Sequence, residues 1–392
     1  MNHLRKCFLF LGVSSLILLS GCMSQYSFRN IDSTYTFQKF NESRLVSEKI
    51  SPDTVQYLRL NFLDKEYLEN PESAIAKLVE KFDRIGEPES VIPIAELSYC
   101  HGFRLEGEDN LNAAAYYALC ASFCYDYLSK GIFGKPNNVS SKLLLAAGLY
   151  NSSVSRGLTL WQKSKTPWDT DFVLDLGYRK FTISIKVDND DLMDPSFFTR
   201  IHSSYDYDVE GFTNSYRING LGASIFGEHA KRDVPEDVNY PKLFFLPMTA
   251  VLEFSNKPED KSSVRTADLR FYNAMRTGRM NLGGHPFRID ADFTIPLTVY
   301  LANNDPSQFS FAGLKNPAKL MSRSNIFILE PYDPNKIPVL LVHGLTPLRA
   351  PIWTCTMISW EFRKSGKDAS SGSSSIRRGC PYSSPAIYSG KS

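Results

Sequence analysis

The sequence predicts a multidomain α+β protein, and three observations point to that class. Apolar residues recur at helical spacing in the N-terminal part of the chain, alternate with polar residues in the middle, and form a short unbroken run near the C-terminus. The 20 tyrosines and 26 phenylalanines also favour a protein with much sheet. We therefore expect a helical N-terminal region, a β-rich middle domain and the beginning of a separate, incomplete α/β sheet.

The composition is that of a globular protein long enough for two or three domains. The apolar fraction is 43%, the charged fraction is 22% and the formal net charge is +2. With no obviously basic face, nucleic acid is not expected as a partner. The segments Gly220-Leu221-Gly222 and Gly283-Gly284 lack a phosphate-binding fingerprint and predict turns. No cofactor is indicated, and no cysteine and histidine spacing resembles a metal site.

Residues 1–22 predict an export signal. A basic start, which contains Arg5 and Lys6, precedes an apolar run over 8–19 that is too short to span a bilayer. The Leu-Ser-Gly-Cys motif that ends at Cys22 resembles the bacterial lipobox, in which the cysteine is acylated and becomes the mature N-terminus. The resemblance implies a lipid anchor at Cys22 and a cell-envelope location. The alternative is a plain signal peptide with a chance cysteine.

The residues that follow the lipobox favour one membrane over the other. Met23 and Ser24 come after the cysteine rather than an aspartate, which favours the outer membrane if the host has one. Five cysteines remain after residue 22, and an odd number in an exported chain leaves at least one unpaired thiol. Cys120 and Cys124 lie at positions i and i+4 of a predicted helix, where small core residues are favoured over a disulfide or a metal pair.

Residues 23–68 are predicted to be a tether and polar lead-in, and residues 69–165 a helical region. Asn70 and Pro71 form a helix start, with the asparagine as cap, and Gly86 ends that helix. Further helices are predicted over about 90–102, 110–130 and 140–163. Short loops make neighbours antiparallel, so the region is similar to a small TPR bundle, although no repeat has a fixed period. It could bind a partner or serve as a structural spacer.

Residues 166–320 predict the β-rich domain. Apolar residues at 181, 183, 185 and 187 alternate with polar ones, as in a half-buried strand. Segments 243–254, 269–272 and 293–301 are also predicted to be strands, because clusters of Asn, Asp, Gly and Pro separate them.

Residues 321–363 predict the start of another sheet. A strand at 326–329 and a turn at 330–334 lead into the apolar run 339–342, which is typical of a strand buried on both faces. The His343-Gly344 pair after that strand resembles the oxyanion-hole loop of the α/β-hydrolase family of esterases and lipases.

The resemblance implies roles for this loop. In the family, backbone N–H groups after the strand bind the negative charge that develops on the substrate carbonyl. The oxyanion loop would consist of His343, Gly344, Leu345 and Thr346, with His343 as a packing residue rather than a base. The implied reaction is hydrolysis of a carboxylic ester or lipid acyl substrate through an acylated serine.

The catalytic residues of that family are missing from the chain. It contains no Gly-x-Ser-x-Gly elbow and no histidine after His343. The earlier histidines, His101, His202, His229 and His285, are most simply surface or satisfied polar residues. We therefore assign no catalytic residue and expect a hydrolase-type envelope protein that is truncated before its nucleophile and inactive. The alternative is a non-catalytic envelope lipoprotein that binds a protein partner through its helical and β-rich domains.

Residues 364–392 are dominated by Ser, Gly, Lys and Arg, which predicts a disordered tail. A second interpretation is a frameshift, because DNA that encodes 370–380 could encode an aromatic strand in an adjacent reading frame.

Overall fold

A computed structural model of the chain describes residues 27–30, 50–129, 141–187, 194–210, 215–237, 242–255 and 264–303. The predicted signal peptide, the predicted strands at 326–329 and 339–342, and the tail lie outside these ranges.

Seven α-helices lie in the described ranges. They are α1 (Pro52–Leu60), α2 (Asp64–Glu69), α3 (Pro71–Ile85), α4 (Val91–Leu105), α5 (Asn110–Ser129), α6 (Ser141–Ser164) and α7 (Thr294–Asn303). The helices predicted over 90–102, 110–130 and 140–163 correspond to α4, α5 and α6 and are confirmed.

Helix α3 begins and ends as the sequence predicts. The Asn70 side chain accepts a hydrogen bond of 3.1 Å from the backbone N–H of Ser73, and Pro71 occupies the first helical position. The cap at the other end is Gly86, whose φ of 71° lies in the left-handed region. The side chains that α3 buries recur at helical spacing: Ala74, Ile75, Leu78 and Val79.

Helices α4 and α5 are buried on nearly all sides, because other helices and the sheet surround them. Cys120 and Cys124 of α5 are both fully buried and both free. Their interpretation as small core residues is confirmed.

The strands of the described ranges form one six-stranded sheet and three two-stranded pieces. They are β1 (Ser27–Asn30), β2 (Phe172–Asp175), β3 (Lys180–Lys186), β4 (Arg200–Ser203), β5 (Tyr207–Glu210), β6 (Arg217–Ile218), β7 (Ala223–Ala230), β8 (Leu243–Phe254), β9 (Val264–Asn273), β10 (Arg279–Leu282), β11 (His285–Arg288) and β12 (Ala291–Asp292).

The curled six-stranded sheet has the order β2-β3-β9-β8-β7-β4. The β3–β9 pair is parallel and the other neighbours are antiparallel. The two-stranded pieces are β1–β5, β10–β11 and β12–β6. The predicted strand at 243–254 is β8, and the predicted strand at 269–272 lies within β9. The prediction of a mixed helix and sheet protein is therefore confirmed.

The six-stranded sheet carries helices on both faces. Alternate residues of β7 and β8 point to opposite sides: Ile225 and Phe244 join the large core under α5 and α6, whereas Phe226 and Phe245 pack with α7. The large core contains buried residues from Leu58 to Phe293, so the helical and β-rich parts share it. The β1–β5 ribbon packs beside α7 on the second face.

The prediction of a strand at 293–301 is wrong, because this segment forms helix α7. Its apolar residues are buried almost without interruption, so neither a helical nor a strand period can be read from it. The Asp292 side chain accepts a hydrogen bond of 2.9 Å from the backbone N–H of Ile295, and Pro296 lies in the first turn. Both features begin helices.

Two short helices lie in the segment that the sequence predicts as lead-in. Helix α1 begins after Ser51, whose side chain accepts a hydrogen bond from the backbone N–H of Thr54. The buried Glu96 carboxylate of α4 accepts hydrogen bonds from the Ser51 hydroxyl and backbone N–H, at 2.7 and 2.6 Å. These bonds fasten the start of α1 to the helical core.

Candidate functional site

The residues assigned from the sequence lie outside the described ranges. Cys22, the predicted lipid site, and the predicted oxyanion loop of His343, Gly344, Leu345 and Thr346 remain predictions. The candidate sites in the described part of the chain are three buried or half-buried polar clusters, two around histidines and one around aspartates.

The first cluster joins His202 of β4 to Tyr207 of β5 and Glu228 of β7. The Tyr207 hydroxyl lies 2.7 Å from His202 Nδ1, and His202 Nε2 lies 2.7 Å from Glu228 Oε2. The imidazole stacks on Phe226 with a centroid distance of 4.9 Å. A neutral imidazole satisfies the whole chain, because Nδ1 accepts from the tyrosine and Nε2–H donates to the carboxylate.

Tyrosine, histidine and glutamate in series have the connectivity of a nucleophile, base and orienting acid. Burial, however, raises the pKa of Tyr207 to about 12, which disfavours the phenolate that would attack a substrate. Burial also lowers the pKa of His202, against the opposing effect of Glu228. The cluster is therefore better suited to hold β5 against β4 and β7 than to perform nucleophilic chemistry.

The second cluster surrounds His229 of β7. Its Nδ1 lies 2.7 Å from the backbone carbonyl of Phe197, and its Nε2 lies 2.8 Å from Asp237 Oδ2. The Phe197 ring stacks on the imidazole at 4.1 Å. Arg232 donates to the same carboxylate from its backbone N–H, from Nε and from Nη2. Chiefly because of the Arg232 hydrogen bonds, the pKa of Asp237 is well below its usual range.

The third cluster lies where β12 leads into α7. The Asp290 carboxylate accepts hydrogen bonds from the Tyr205 hydroxyl at 2.5 Å and from Arg217 Nη2 at 3.1 Å. Asp292 caps α7 through Ile295. Burial raises the pKa of Asp290, and burial raises the pKa of Asp292 to about 6.

A carboxyl group with a pKa near 6 has the acidity of a general acid. Asp292, however, is 3% exposed and its oxygen is engaged by the helix cap. A proton donor must reach its substrate, so this position favours a structural role. Neither Asp290 nor Asp292 was predicted from the sequence, although Asp292 before Thr294 and Pro296 is a recognisable helix-start signal.

The predicted roles of the histidines are confirmed for three of the four. His202 and His229 are satisfied by the partners described above, and His285 is an exposed residue of the β10–β11 hairpin. His101 is buried, with Nε2 at 3.4 Å from Glu72 Oε1. Its Nδ1 has no hydrogen-bond partner within the described residues, so His101 is only partly satisfied.

Among the described residues, no group of three or more His, Cys, Asp or Glu side chains is placed to hold a metal ion. In the same residues, no helix has the length and apolar character needed to cross a membrane.

Comparisons with known proteins give no match: no family model, no curated protein and no solved structure is similar to this chain.

Proposed function

We propose that the chain is an exported cell-envelope protein, that a lipid on Cys22 holds it on a membrane, and that its described part is a non-catalytic module. The observation that carries this proposal is the Leu-Ser-Gly-Cys motif that ends at Cys22, and the position of β1 indicates where that anchor would meet the fold. Only residues 23–26 separate Cys22 from Ser27, a stretch that spans at most about 18 Å when fully extended.

Strand β1 attaches this short stretch to the fold. Ser27 pairs with Glu210 and Asn30 pairs with Tyr207 along β5, and Arg29 lies 3.3 Å from Asp208. A lipid on Cys22 would therefore hold the module close to the bilayer at the β1–β5 ribbon. Two or more acyl chains suffice for a stable anchor, because each buried methylene contributes about 0.8 kcal/mol.

Cell fractionation of a cysteine variant tests the anchor. In a bacterial host that processes lipoproteins, Cys22→Ser should move the chain from the membrane fraction to the soluble fraction or leave it as the unprocessed precursor. Cys7→Ser is the matched control, because Cys7 lies within the predicted signal and should leave the mature protein membrane-bound. Equal membrane binding and equal processing of the two variants would refute the anchor.

The absence of catalysis is the second part of the proposal. His202 and His229 both use their two ring nitrogens within the fold, which supports a structural role for each. By the resemblance of residues 326–360, the chain is of α/β-hydrolase type, with His343 to Thr346 as its oxyanion loop. It lacks the elbow serine and the late histidine that would use that loop on an ester or lipid substrate.

A serine-directed fluorophosphonate probe tests this part directly. The purified 392-residue chain should remain unlabelled under conditions in which an active serine esterase is fully labelled. Labelling that heat denaturation abolishes would show a reactive serine and would contradict the proposal.

The second candidate function is the binding of an envelope protein by the helical part, which the sequence likens to a TPR bundle. The packing of α3 to α6 as a layer beside the sheet favours it, because the outer α1–α3 surface is then available to a partner. Copurification of the same envelope protein with the wild-type chain, and its loss when α1–α3 surface residues are changed, would favour this candidate.

A further inference from the structure

The turn between α1 and α2 has an unusual residue at its tightest point. The backbone N–H of Leu63 donates to the carbonyl of Leu58 at 2.9 Å, and that of Phe62 donates to the carbonyl of Arg59 at 3.0 Å. This is the Schellman pattern, in which the residue after the cap is left-handed and is usually glycine. Here that residue is Phe62, with a φ of 57°.

Phe62 is strained and also exposed. A bulky side chain in the left-handed region is disfavoured, because its Cβ approaches the following backbone. The ring is nevertheless 91% exposed, so burial within the described fold does not compensate for the strain. Leu60 and Leu68 on either side of the turn are 70% and 83% exposed. We call these three side chains, with Lys65 and Glu69 of α2, the α1–α2 corner.

The turn is held in place by its neighbours. The Asn61 side chain donates to the carbonyl of Tyr57 at 2.8 Å, and Lys81 Nζ donates to Asn61 Oδ1 at 2.7 Å. Leu63 packs into the core beside Leu58. The exposed ring is therefore presented by a fixed turn, and strain that persists in a fixed turn is a recognised feature of functional sites.

Helix α2 carries two opposite charges, Lys65 and Glu69, that can pair with the same two charges of a second copy. Lys65 and Glu69 stand at i and i+4, so they lie on one face with Leu68 beside them. Both are exposed, and within the described ranges neither forms an ion pair. Glu66 on the same helix differs, because its carboxylate is bound by Lys77 at 2.7 Å. A two-fold axis that pairs α2 with its copy in antiparallel fashion would place Lys65 of each copy opposite Glu69 of the other.

We propose that the α1–α2 corner is a self-association surface and that its occupant is the same corner of a second copy of this chain. Two Lys65–Glu69 pairs flank the contact, and Phe62, Leu60 and Leu68 of both copies fill it. The contact needs neither the lipid anchor nor an envelope partner. Five side chains from each copy make a small contact, of about 1,000 Å² at most, so we expect a weak and reversible dimer.

A charge exchange tests the proposed geometry. Sedimentation equilibrium of residues 22–392, produced without the signal peptide and with Cys22→Ser so that no lipid is attached, should show a reversible monomer and dimer. Lys65→Glu alone and Glu69→Lys alone should each weaken the dimer about tenfold or more, because like charges then face each other twice. The two changes together should restore the wild-type dimer, since the pairs re-form with reversed signs.

A second variant separates association from folding. Phe62→Gly should raise the melting temperature, because glycine adopts the left-handed conformation without strain, and should weaken the dimer about tenfold. Leu144→Gln on α6 is the control, because Leu144 is 62% exposed and lies away from the corner; it should leave the dimer unchanged.

Three results would overturn the inference. They are a monomer at every concentration, a double exchange that stays as weak as the single changes, and a dimer that Phe62→Gly does not weaken.

Discussion

Asp237 and Asp292 are both almost inaccessible to solvent, yet their pKa values move in opposite directions. Their relative exposures are 0% and 3%. Asp237 accepts hydrogen bonds from Arg232 and lies against His229, and its pKa is well below the usual range. Asp292 accepts a backbone N–H at the start of α7, and burial raises its pKa to about 6. Burial deep in the protein is the main cause of the raised pKa of Asp292, whereas hydrogen bonds from Arg232 are the main cause of the lowered pKa of Asp237.

The difference lies in the depth of burial and in the neighbours that the fold provides. Positive charge and several N–H donors compensate the lost hydration of Asp237, so its carboxylate is the favoured form. The helix cap compensates Asp292 only in part, and the nearby Asp290 adds negative charge. The first aspartate should therefore stabilise the fold at neutral pH, whereas the charge of the second should cost stability there.

The largest effect is expected when the compensated ion pair is broken. Asp237→Ala removes the acceptor of His229 and Arg232 and leaves a buried histidine without its partner. We expect a loss of about 3 kcal/mol in the free energy of unfolding at pH 7, because His229 Nε2 and the Arg232 backbone N–H lose their acceptor. Urea unfolding followed by circular dichroism measures it.

The control for that variant is Asp233→Ala, an exposed residue in the same loop. It should change stability by less than about 0.5 kcal/mol. Similar losses in the two variants would show that the hydrogen bonds of Asp237 do not stabilise the fold. They would contradict the proposed difference between Asp237 and Asp292.

The second effect has the opposite sign. Asp292→Asn keeps an oxygen that can cap α7 but removes the buried charge. The folded pKa of about 6 exceeds the unfolded value, so the wild-type protein loses stability as pH rises from about 4 to about 6. The variant should therefore be more stable than wild type at pH 7, by up to about 3 kcal/mol, and should lose this advantage at pH 4.

Unfolding curves of wild type and Asp292→Asn at pH 4 and pH 7 show whether the variant is the more stable or the less stable protein at each pH. Asp292→Ala serves as the control for the cap, since it removes both the charge and the acceptor and should gain less than the asparagine variant. A variant that is less stable than wild type at pH 7 would contradict the account of Asp292.

A smaller loss of folding stability is expected when the hydrogen bond to His202 is removed, because the imidazole is neutral and no buried charge is left without a partner. Tyr207→Phe removes the donor to Nδ1 and should cost about 1–2 kcal/mol. Hydrogen exchange of residues 27–30 should also become faster, because Tyr207 begins the strand that holds β1. Tyr216→Phe is the matched control. Unchanged exchange in 27–30 would mean that the cluster does not fasten the ribbon.

The smallest effect is the pH dependence that His202 itself contributes. Burial lowers the pKa of His202 in the folded protein below the usual histidine value of about 6.5, so the unfolded chain binds more protons just below that pH. His202 therefore contributes to the free energy of unfolding above about pH 6.5, and this contribution is lost as the pH falls toward the pKa of His202 in the folded protein. Comparison of wild type with His202→Gln between pH 7 and pH 5 measures it; equal slopes would exclude the effect.

Local signals in the sequence predicted much of the helical part. The cap at Asn70 and the glycine at 86 act within one helix, so both ends of α3 could be read directly. The helix at 294–303 could not be predicted in this way. Its residues are buried on all sides, so the spacing of apolar residues does not distinguish a helix from a strand. Asp292 and Pro296 were the better guide to that segment.

The sequence could not reveal contacts that depend on distant parts of the chain. Strand β1 is a short polar stretch, and its partner β5 lies far away in the sequence. His229 contacts Phe197, which lies 32 residues earlier in the sequence. For the same reason, the Tyr207–His202–Glu228 cluster was visible only as separate polar residues.

The most direct test of the proposed function is mass spectrometry of the N-terminal peptide of the membrane-extracted protein. The account predicts a peptide that begins at Cys22 and carries acyl chains on that residue. A mature N-terminus at another residue, or an unmodified Cys22, would contradict it.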